Sequence, residues 1–577
     1  MSIASKKWLV APPAPTSVLS QYRQMSPVLA QVLYNRGFTD PQAAAKFLYD
    51  RDVEGNPFTL KDMNKAVHRI RMAIKQRESI IVYGDFDADG VTSTTLLVQT
   101  LRALGAIVKP YIPHRVDEGY GLNSHALLKL ARAGVKLIIT VDCGIRSVAE
   151  IEDGKAAGLD IIVTDHHSIG PEIPNALAVI NPKQLDCQYP EKMLAGVGVA
   201  FKLAQALLRA SQHDRRNQPQ LPEEALLDLV ALGTVADLVP LNSMENRAMV
   251  RRGLDVINRA RRPGMRALLD VASVEPGKVT AMSIGYGLGP RINAAGRLGS
   301  AMTAFNLLAA SDAKQAEKLA TELQNLNVQR QDLTRDTQEM IRERIEAAAA
   351  ENPPLIFAAD PNFQPGIVGL VAGRLAEEFY RPAVVMEQGE TESRASCRSI
   401  PQFNITDALD QCADLLVRHG GHGQAAGFTV MNENVTDLIS RLTSIAHDTL
   451  DGQDLRPTLE IDAEIDMNQV SEEFLGDLVL LEPTGYMNPA PVFIMRNAYI
   501  LEWRLVGKEG KHLKFKVARA GRPPLDAIAF GLGEWAEHLP GHVDIAYQLE
   551  LNEWNGRKTL QLNVQDIRLT ESANGAG

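Results

Sequence analysis

Three continuous apolar runs, each ending in acidic residues, constrain this chain more than any other feature. Ile80-Ile81-Val82-Tyr83 leads into GDFDADG, Leu137-Ile138-Ile139-Thr140-Val141 into DCG, and Ile161-Ile162-Val163-Thr164 into DHH. Short β-branched runs of this kind read as strands, and their lack of polar alternation marks strands buried on both faces. Val91 to Leu104 reads as a helix, Ala106 to Ile112 as a further strand, and a helix follows DCG through about Ala157. Strands alternating with helices predict an open parallel α/β sheet. The carboxyl ends of such strands share one edge, where ligands bind. The pattern therefore brings Asp85, Asp87, Asp89, Asp142, Asp165, His166 and His167 to one place.

So many carboxylates at one edge repel one another, and without counter-ions some must take up protons. Two divalent cations would neutralise them. Each piece alone has an ordinary explanation: DxDxDG also occurs as a solvated turn, and a single Asp after a strand is commonly a helix cap. Their coincidence on successive strands favours a shared metal site. Carboxylate oxygens suit Mg²⁺ and Mn²⁺, and the imidazole tilts the choice towards Mn²⁺. Zinc fits less well: there is no HExxH, and Cys143, Cys187, Cys397 and Cys412 form no CxxC. Two ions ~3.5–4 Å apart suit in-line displacement at phosphorus, with a metal-activated water as nucleophile. No Ser-His-Asp arrangement competes.

The 577 residues exceed one core and predict several domains. Residues 1–55 read as an N-terminal extension and 56–311 as the acid-bearing domain. Residues 312–352 lack Gly and Pro and predict one helix roughly 60 Å long, a strut between two lobes. Residues 353–450 again alternate strand and helix, and Asp451 to Pro457 reads as a linker. Residues 455–577 hold five short strand patterns, which predict a small β-barrel of the OB-fold kind. Its candidates for base stacking are Trp503, Phe515 and Phe530, with core packing the expected role for at least two.

A net charge of −10 argues against a uniformly basic nucleic-acid-binding surface but not against a local groove. RRGLDVINRARRPGMR, with Arg251, Arg252, Arg259, Arg261, Arg262 and Arg266, reads equally as a DNA-tracking segment or a solvated helix face. GPRINAAGRLG offers Arg291, Asn293 and Arg297 beside glycines that let a phosphate chain approach, and no GK[ST] follows. No run of ~20 apolar residues is present, and the N-terminus lacks a secretory pattern, so a cytoplasmic location with no membrane contact is the expectation.

GDFDADG, VDCG, TDHH and GTVADLVPL resemble the first four motifs of the DHH phosphoesterases, and GPRINAAGRLG and HGGHGQAAGF resemble the further motifs of the RecJ family. Those are bacterial exonucleases that degrade single-stranded DNA from its 5′ end. The resemblance runs from Ile80 into the C-terminal barrel. It implies a DHH domain and a DHH-associated (DHHA1) α/β domain joined by the long helix and followed by the OB-fold. It implies a 5′-to-3′ exodeoxyribonuclease of recombination and repair that uses two divalent cations. Asp87 and Asp89 would serve different ions, Asp142 would bridge them, His166 and Asp237 would complete the second position, and Asp85 would support the first. His167 would contact the scissile phosphate, and Asp165 would orient a histidine. Ser396 and Arg398 of RASCRS, helped by Arg115 of IPHRVDEGYG, would hold the terminal 5′-phosphate, with His422 also on the substrate side. Arg374 is expected to pack on its own helix.

By the same resemblance the partners are a helicase and a single-strand-binding protein, and the strut favours a monomer. Two departures stand out. Phe363-Gln364-Pro365-Gly366 replaces the family's Trp-His-Gln-Gly, and Pro483-Thr484-Gly485-Tyr486-Met487-Asn488-Pro489 replaces its PFGxGNP. Two rivals are a shorter DHH phosphoesterase, which would lack the barrel, and a non-catalytic replication factor with decayed acids. Every metal-site acid is present here.

Overall fold

The computed structural model describes residues 6–23, 25–115, 117–211, 221–347, 353–519, 521–539, 541–554 and 556–570. The chain forms two compact units: Arg51–Gln453 with Gly485–Met487, and Met1–Asp50 with Asp454–Thr484 and Asn488–Gly577.

The first unit begins with the expected parallel sheet. β1 (Ser79–Tyr83) is followed by α1 (Ala88–Ala103), β2 (Ile107–Tyr111), α2 (Ser124–Arg132), β3 (Leu137–Val141), α3 (Val148–Ala156), β4 (Asp160–Thr164) and β5 (Ala178–Ile180). The strand order is β2-β1-β3-β4-β5, all parallel. Successive side chains enter opposite cores. Ile80, Val82, Ile139 and Val141 pack on one face, and Ile81, Tyr83, Ile138 and Val163 on the other. Both faces are buried, which is why the strands read as unbroken apolar runs. The order reverses between β1 and β3, which makes that edge the topological switch point of an open α/β sheet.

Among the helices that build out this lobe are α4 (Gly196–Ser211), α5 (Leu227–Ala236), α6 (Gly289–Leu298) and the 35-residue α7 (Ala313–Ala347). α7 is the predicted strut. Ala316, Ala320 and Leu323 near its start join the core of the parallel sheet, whereas Ile341 near its end joins the next core. One helix thus contributes to two cores. The second lobe comprises β6 (Ile356–Asp360), α8 (Pro365–Phe379), β7 (Ala383–Glu387), β8 (Glu392–Arg398), β9 (Leu416–His422) and β10 (Ala425–Met431). Its sheet runs β9-β10-β8-β7-β6, with only β6 and β7 parallel.

In the second unit, β11 (Phe493–Val506), β12 (His512–Val517), β13 (Leu525–Ala529), β14 (His542–Trp554) and β15 (Arg557–Leu569) pair in the order β11-β12-β13-β15-β14, and β14 also pairs with β11. The pairing returns to its first strand, as in an OB-fold. Phe515 is buried at 2%, whereas Trp503 and Phe530 are 46% and 59% exposed. Only one of the three aromatics is therefore core, fewer than composition alone led one to expect. The N-terminal extension is tied into this unit by a strand that its reading did not include. Lys7–Val10 pairs in parallel with Thr458–Ile461, and the Trp8 indole donates to Asp566 at 2.6 Å, so the segment is integral to this unit. Nothing local to residues 6–10 encodes a partner some 450 residues away.

Candidate active site

The acids stand on the switch-point edge. Asp85, Asp87 and Asp89 follow β1, Asp142 follows β3, and Asp165, His166 and His167 follow β4. Asp237 follows α5. Asp87 caps α1, its Oδ1 accepting the Asp89 and Gly90 N–H groups at 3.0 Å each. Asp142 sits at φ +61°, a left-handed conformation that Asp tolerates better than most residues.

The side chains converge in three groups whose ligand atoms lie within 4.8 Å of one another: Asp85, Asp87 and Asp142; Asp89, His166 and Asp237; and Asp142, His166 and His167. His166 Nε2 lies 3.1 Å from Asp142 Oδ1, 3.5 Å from Asp237 Oδ2 and 3.8 Å from Asp89 Oδ2. Asp142 is therefore shared between the all-carboxylate group and one histidine-containing group, and His166 between the two that contain histidine. Its Oδ1, with Asp85 Oδ1 and His166 Nε2, is buried without a hydrogen-bond partner. Buried polar atoms are almost always paired. Three orphans of ligand type aimed at one volume fit divalent cations.

The electrostatics agree. Burial, and next the charge of Asp87, lifts Asp85 well above the usual carboxylate range; burial, and next Asp89, does the same to Asp142. Burial, and next Asp87, raises Asp89 to about 7; burial, and next Asp89, raises Asp237 to about 9. Burial, reinforced by His167, pushes His166 down to about 3, so its ring is neutral. A hydrogen bond to the Leu194 backbone holds the other ring nitrogen, which leaves the Nε2 lone pair free for a metal. Asp165 plays another part. Its Oδ1 accepts from the His166 and His167 backbone at 2.7 and 3.0 Å and from His167 Nδ1 at 2.8 Å, and its Oδ2 accepts from Ile145 N–H at 2.9 Å. Burial would raise this carboxyl and lower His167. Their bond overrides both effects, so Asp165 lies below its ordinary value and His167 above. His167 thus presents Nε2 outward.

These shifts predict a pH-dependent effect of metal. In an unfolded chain the carboxyls titrate near ~3.9. Folded-state values of about 7 and about 9 mean that the metal-free fold holds protons the unfolded chain has released, so its stability falls as pH rises through that window. Cations bind the deprotonated form. The rise in Tm on adding Mg²⁺ is therefore expected to be larger at about pH 8.5 than at about pH 6. Differential scanning fluorimetry checks this, and equal rises at both values would contradict it.

Arginines gather beside the acids. The Arg115 guanidinium lies 4.5 Å above the Phe86 ring and faces Asp85 and Asp87. Arg297 donates to the Gly366 carbonyl at 3.0 Å; burial, and next the like charges of Arg115, Arg330 and Arg398, hold it down to about 10. Arg398 donates to Ser396 Oγ at 3.3 Å and to the Cys397 carbonyl at 2.8 Å. Arginines held this close to one another favour a polyanion.

Other predicted residues stand elsewhere. Arg291 is bound to Gln324, the Gly287 carbonyl and the Val271 carbonyl. Asn293 Oδ1 accepts from Ala88 N–H at 2.7 Å and so braces the first acid loop. His422 is exposed at the end of β9. Arg374 bonds Gln338 at 3.4 Å. In the basic segment, Arg252 pairs with Glu54 and Glu224, Arg262 with Asp228 and Arg266 with Asp270, which favours the structural reading of those three.

Several contributors have weak local signatures. Arg330, on a helix crowded with charges, has none. Tyr120 lies 3.2 Å from His167 Nδ1 and donates to the Asp142 carbonyl at 3.4 Å. A Cβ on Gly369 would lie 2.9 Å from Ser396 Oγ, and one on Gly366 would lie 2.2 Å from the Arg297 carbonyl oxygen. The glycine of the altered Phe363-Gln364-Pro365-Gly366 stretch is thus sterically required whatever precedes it.

An acid-lined switch point on a parallel sheet, faced by an arginine-bearing α/β lobe, defines a metal-dependent phosphoesterase, and the family models agree. They match the DHH family, N-terminal domain, over residues 79–234, the DHHA1 domain over 352–448 and the RecJ OB domain over 461–566. The single-stranded-DNA-specific exonuclease RecJ of Bacillus subtilis is 40% identical, over 99% of this chain and 72% of the relative. That of Escherichia coli is 36% identical, over 94% and 96%. The crystal structure of RecJ from Thermus thermophilus in complex with Mn²⁺ superposes with a TM-score of 0.83 at 32% identity, covering 98% of this chain and 80% of that one. The chain belongs to the RecJ family.

Proposed function

We propose that this chain is a 5′-to-3′ exonuclease that hydrolyses phosphodiester bonds of single-stranded DNA with two divalent cations, Mn²⁺ or Mg²⁺, in DNA recombination and repair. The observation that carries the reading is the meeting of the three ligand groups on Asp142 and His166, with their buried unpaired atoms. Asp87 and Asp89 would hold different ions, Asp142 would contact both, His166 and Asp237 would complete the second position, and Asp85 would support the first. When bound, the ions supply charge neutralisation at phosphorus and a lowered water pKa.

The chain's own residues do the rest. His167, held through Nδ1 by Asp165, is positioned to donate from its outer nitrogen to a phosphate oxygen. Arg115, Ser396 and Arg398 take the terminal 5′-phosphate, and Arg297 and Arg330 add positive charge to the same pocket. Anchoring that phosphate while the next bond meets the metals sets the direction. Residues 56–311 cleave, 353–450 capture the end, and the OB-fold within 455–577 holds the strand, with Trp503 and Phe530 exposed for stacking. Asn293 supports the first acid loop, Arg291 ties its own helix to α7 through Gln324, and His422 lies at the substrate side of the second lobe.

Among the described residues no helix is long and apolar enough to cross a membrane. The reading places the enzyme in the cytoplasm as a monomer that works with a helicase and a single-strand-binding protein. The experiment is digestion of a single-stranded oligonucleotide labelled at either end, with and without Mn²⁺. Metal-dependent release from the 5′ end, with duplex spared, is expected. Tight binding without cleavage would reverse the reading towards a non-catalytic DNA-binding factor.

A further inference from the structure

We infer that the first turn of α4, through the backbone amides of Gly196 and Val197, is a positioning element that sets the geometry of the second metal position. Both oxygens of Asp89 are held by this turn. Gly196 N–H donates to Oδ2 at 2.6 Å, and Val197 N–H donates to Oδ1 at 2.8 Å. These amides belong to the unpaired first turn of a helix, where partial positive charge favours a carboxylate. Each Asp89 oxygen then has one of its lone pairs taken and the other directed, so the carboxylate cannot rotate.

The same turn also bears on Asp142. A Cβ added to Gly196 would lie 2.6 Å from Asp142 Cβ and 2.7 Å from its Oδ1. On the far side, a Cβ on Gly233 of α5 would lie 2.3 Å from Thr92 Oγ1, 2.8 Å from Val197 Cγ1 and 3.0 Å from Asp89 Oδ1. Glycines at both positions let α4 and α5 close on Asp89, with Asp237 at the end of α5. Two ligands from different strands thus take their relative placement from one helix start. Groups that orient a ligand typically change metal affinity ~10–100-fold when lost.

The inference rests on the two-metal reading, and the test separates the two. Mn²⁺ binding to the full chain is measured without DNA, by calorimetry and electron paramagnetic resonance. Val197→Pro deletes one amide donor, and proline is tolerated in a first helical turn. Val197→Ala keeps the amide and loses side-chain packing. The unaltered chain is expected to bind two ions. Val197→Pro should weaken one of them by ~10-fold or more and leave the other, while Val197→Ala binds both normally. Equal effects of the two substitutions, or none from either, would overturn the inference. No Mn²⁺ binding by the unaltered chain would overturn the two-metal reading and the inference with it. Should Val197→Pro show no melting transition in EDTA, Gly196→Ala decides: a folded Gly196→Ala chain with unchanged Mn²⁺ affinity would overturn the role, and a weakened one supports it.

Discussion

Asp142→Asn is expected to lower single-strand cleavage on the order of 10³-fold while leaving the metal-free protein at least as stable as before. Asparagine keeps the shape of the side chain and tolerates the left-handed backbone at this position, φ +61°, where alanine would add strain of its own. What it removes is the ligand charge of the residue common to the all-carboxylate group and one histidine-containing group. In the absence of metal that buried carboxyl is driven to take up a proton. Asp142 is lifted far above the carboxylate range by burial, and then by Asp89, Asp87, Asp237 and Asp85. The substitution should therefore not lower Tm in EDTA, and should shrink the Tm gain on adding Mn²⁺. Single-turnover cleavage with paired melting curves gives the answer. Activity within ~10-fold of normal would remove Asp142 from the centre of the metal site.

Arg398→Ala should cut the preference for a 5′-phosphate over a 5′-hydroxyl end by roughly 10–100-fold, the worth of one or two charge-assisted hydrogen bonds. Arg398 donates to Ser396 Oγ and the Cys397 carbonyl, and Gly369 leaves the space in front of Ser396 open. Among the described residues Arg398 pairs with no carboxylate. Its neighbours include Arg115, and burial is the main reason its guanidinium lies below the ordinary value. A dianionic phosphate would relieve both burdens. The effect should fall on kcat/KM for phosphorylated ends, with the single-turnover rate at saturation moving far less. Arg398→Lys should restore the preference only in part, since an ammonium cannot form the bidentate fork. An unchanged preference in Arg398→Ala would place the end-phosphate elsewhere.

The acid-bearing strands were legible because burial on both faces forces continuous apolar runs, and the open parallel sheet then dictates which ends meet. The long helix was legible from 312–352 for a similar reason, an unbroken period with no breaker, and Ala313–Ala347 forms it. Five barrel strands were legible, but two run longer than their apolar patterns show: β11 starts at Phe493, past a register shift between Met495 and Ala498, and β15 runs on to Leu569. β5 escaped notice because three residues are too few for a periodicity.

The sequence by itself determined which chemistry is present: the ligand-type residues, the strands that carry them and the edge they share. These follow from local rules, strand burial and chain direction, that act within a few residues. Only the tertiary structure decided how those residues are held. It tied Asp89 to two amides of a helix over a hundred residues on, gave Asp165 to His167, turned Asn293 and Arg291 inward as supports, and set Arg330 beside Arg297. It also paired Lys7–Val10 with Thr458–Ile461. Hydrogen-bond partners and close approaches between distant segments depend on distances that no local pattern encodes, because the chain's own neighbours do not supply them.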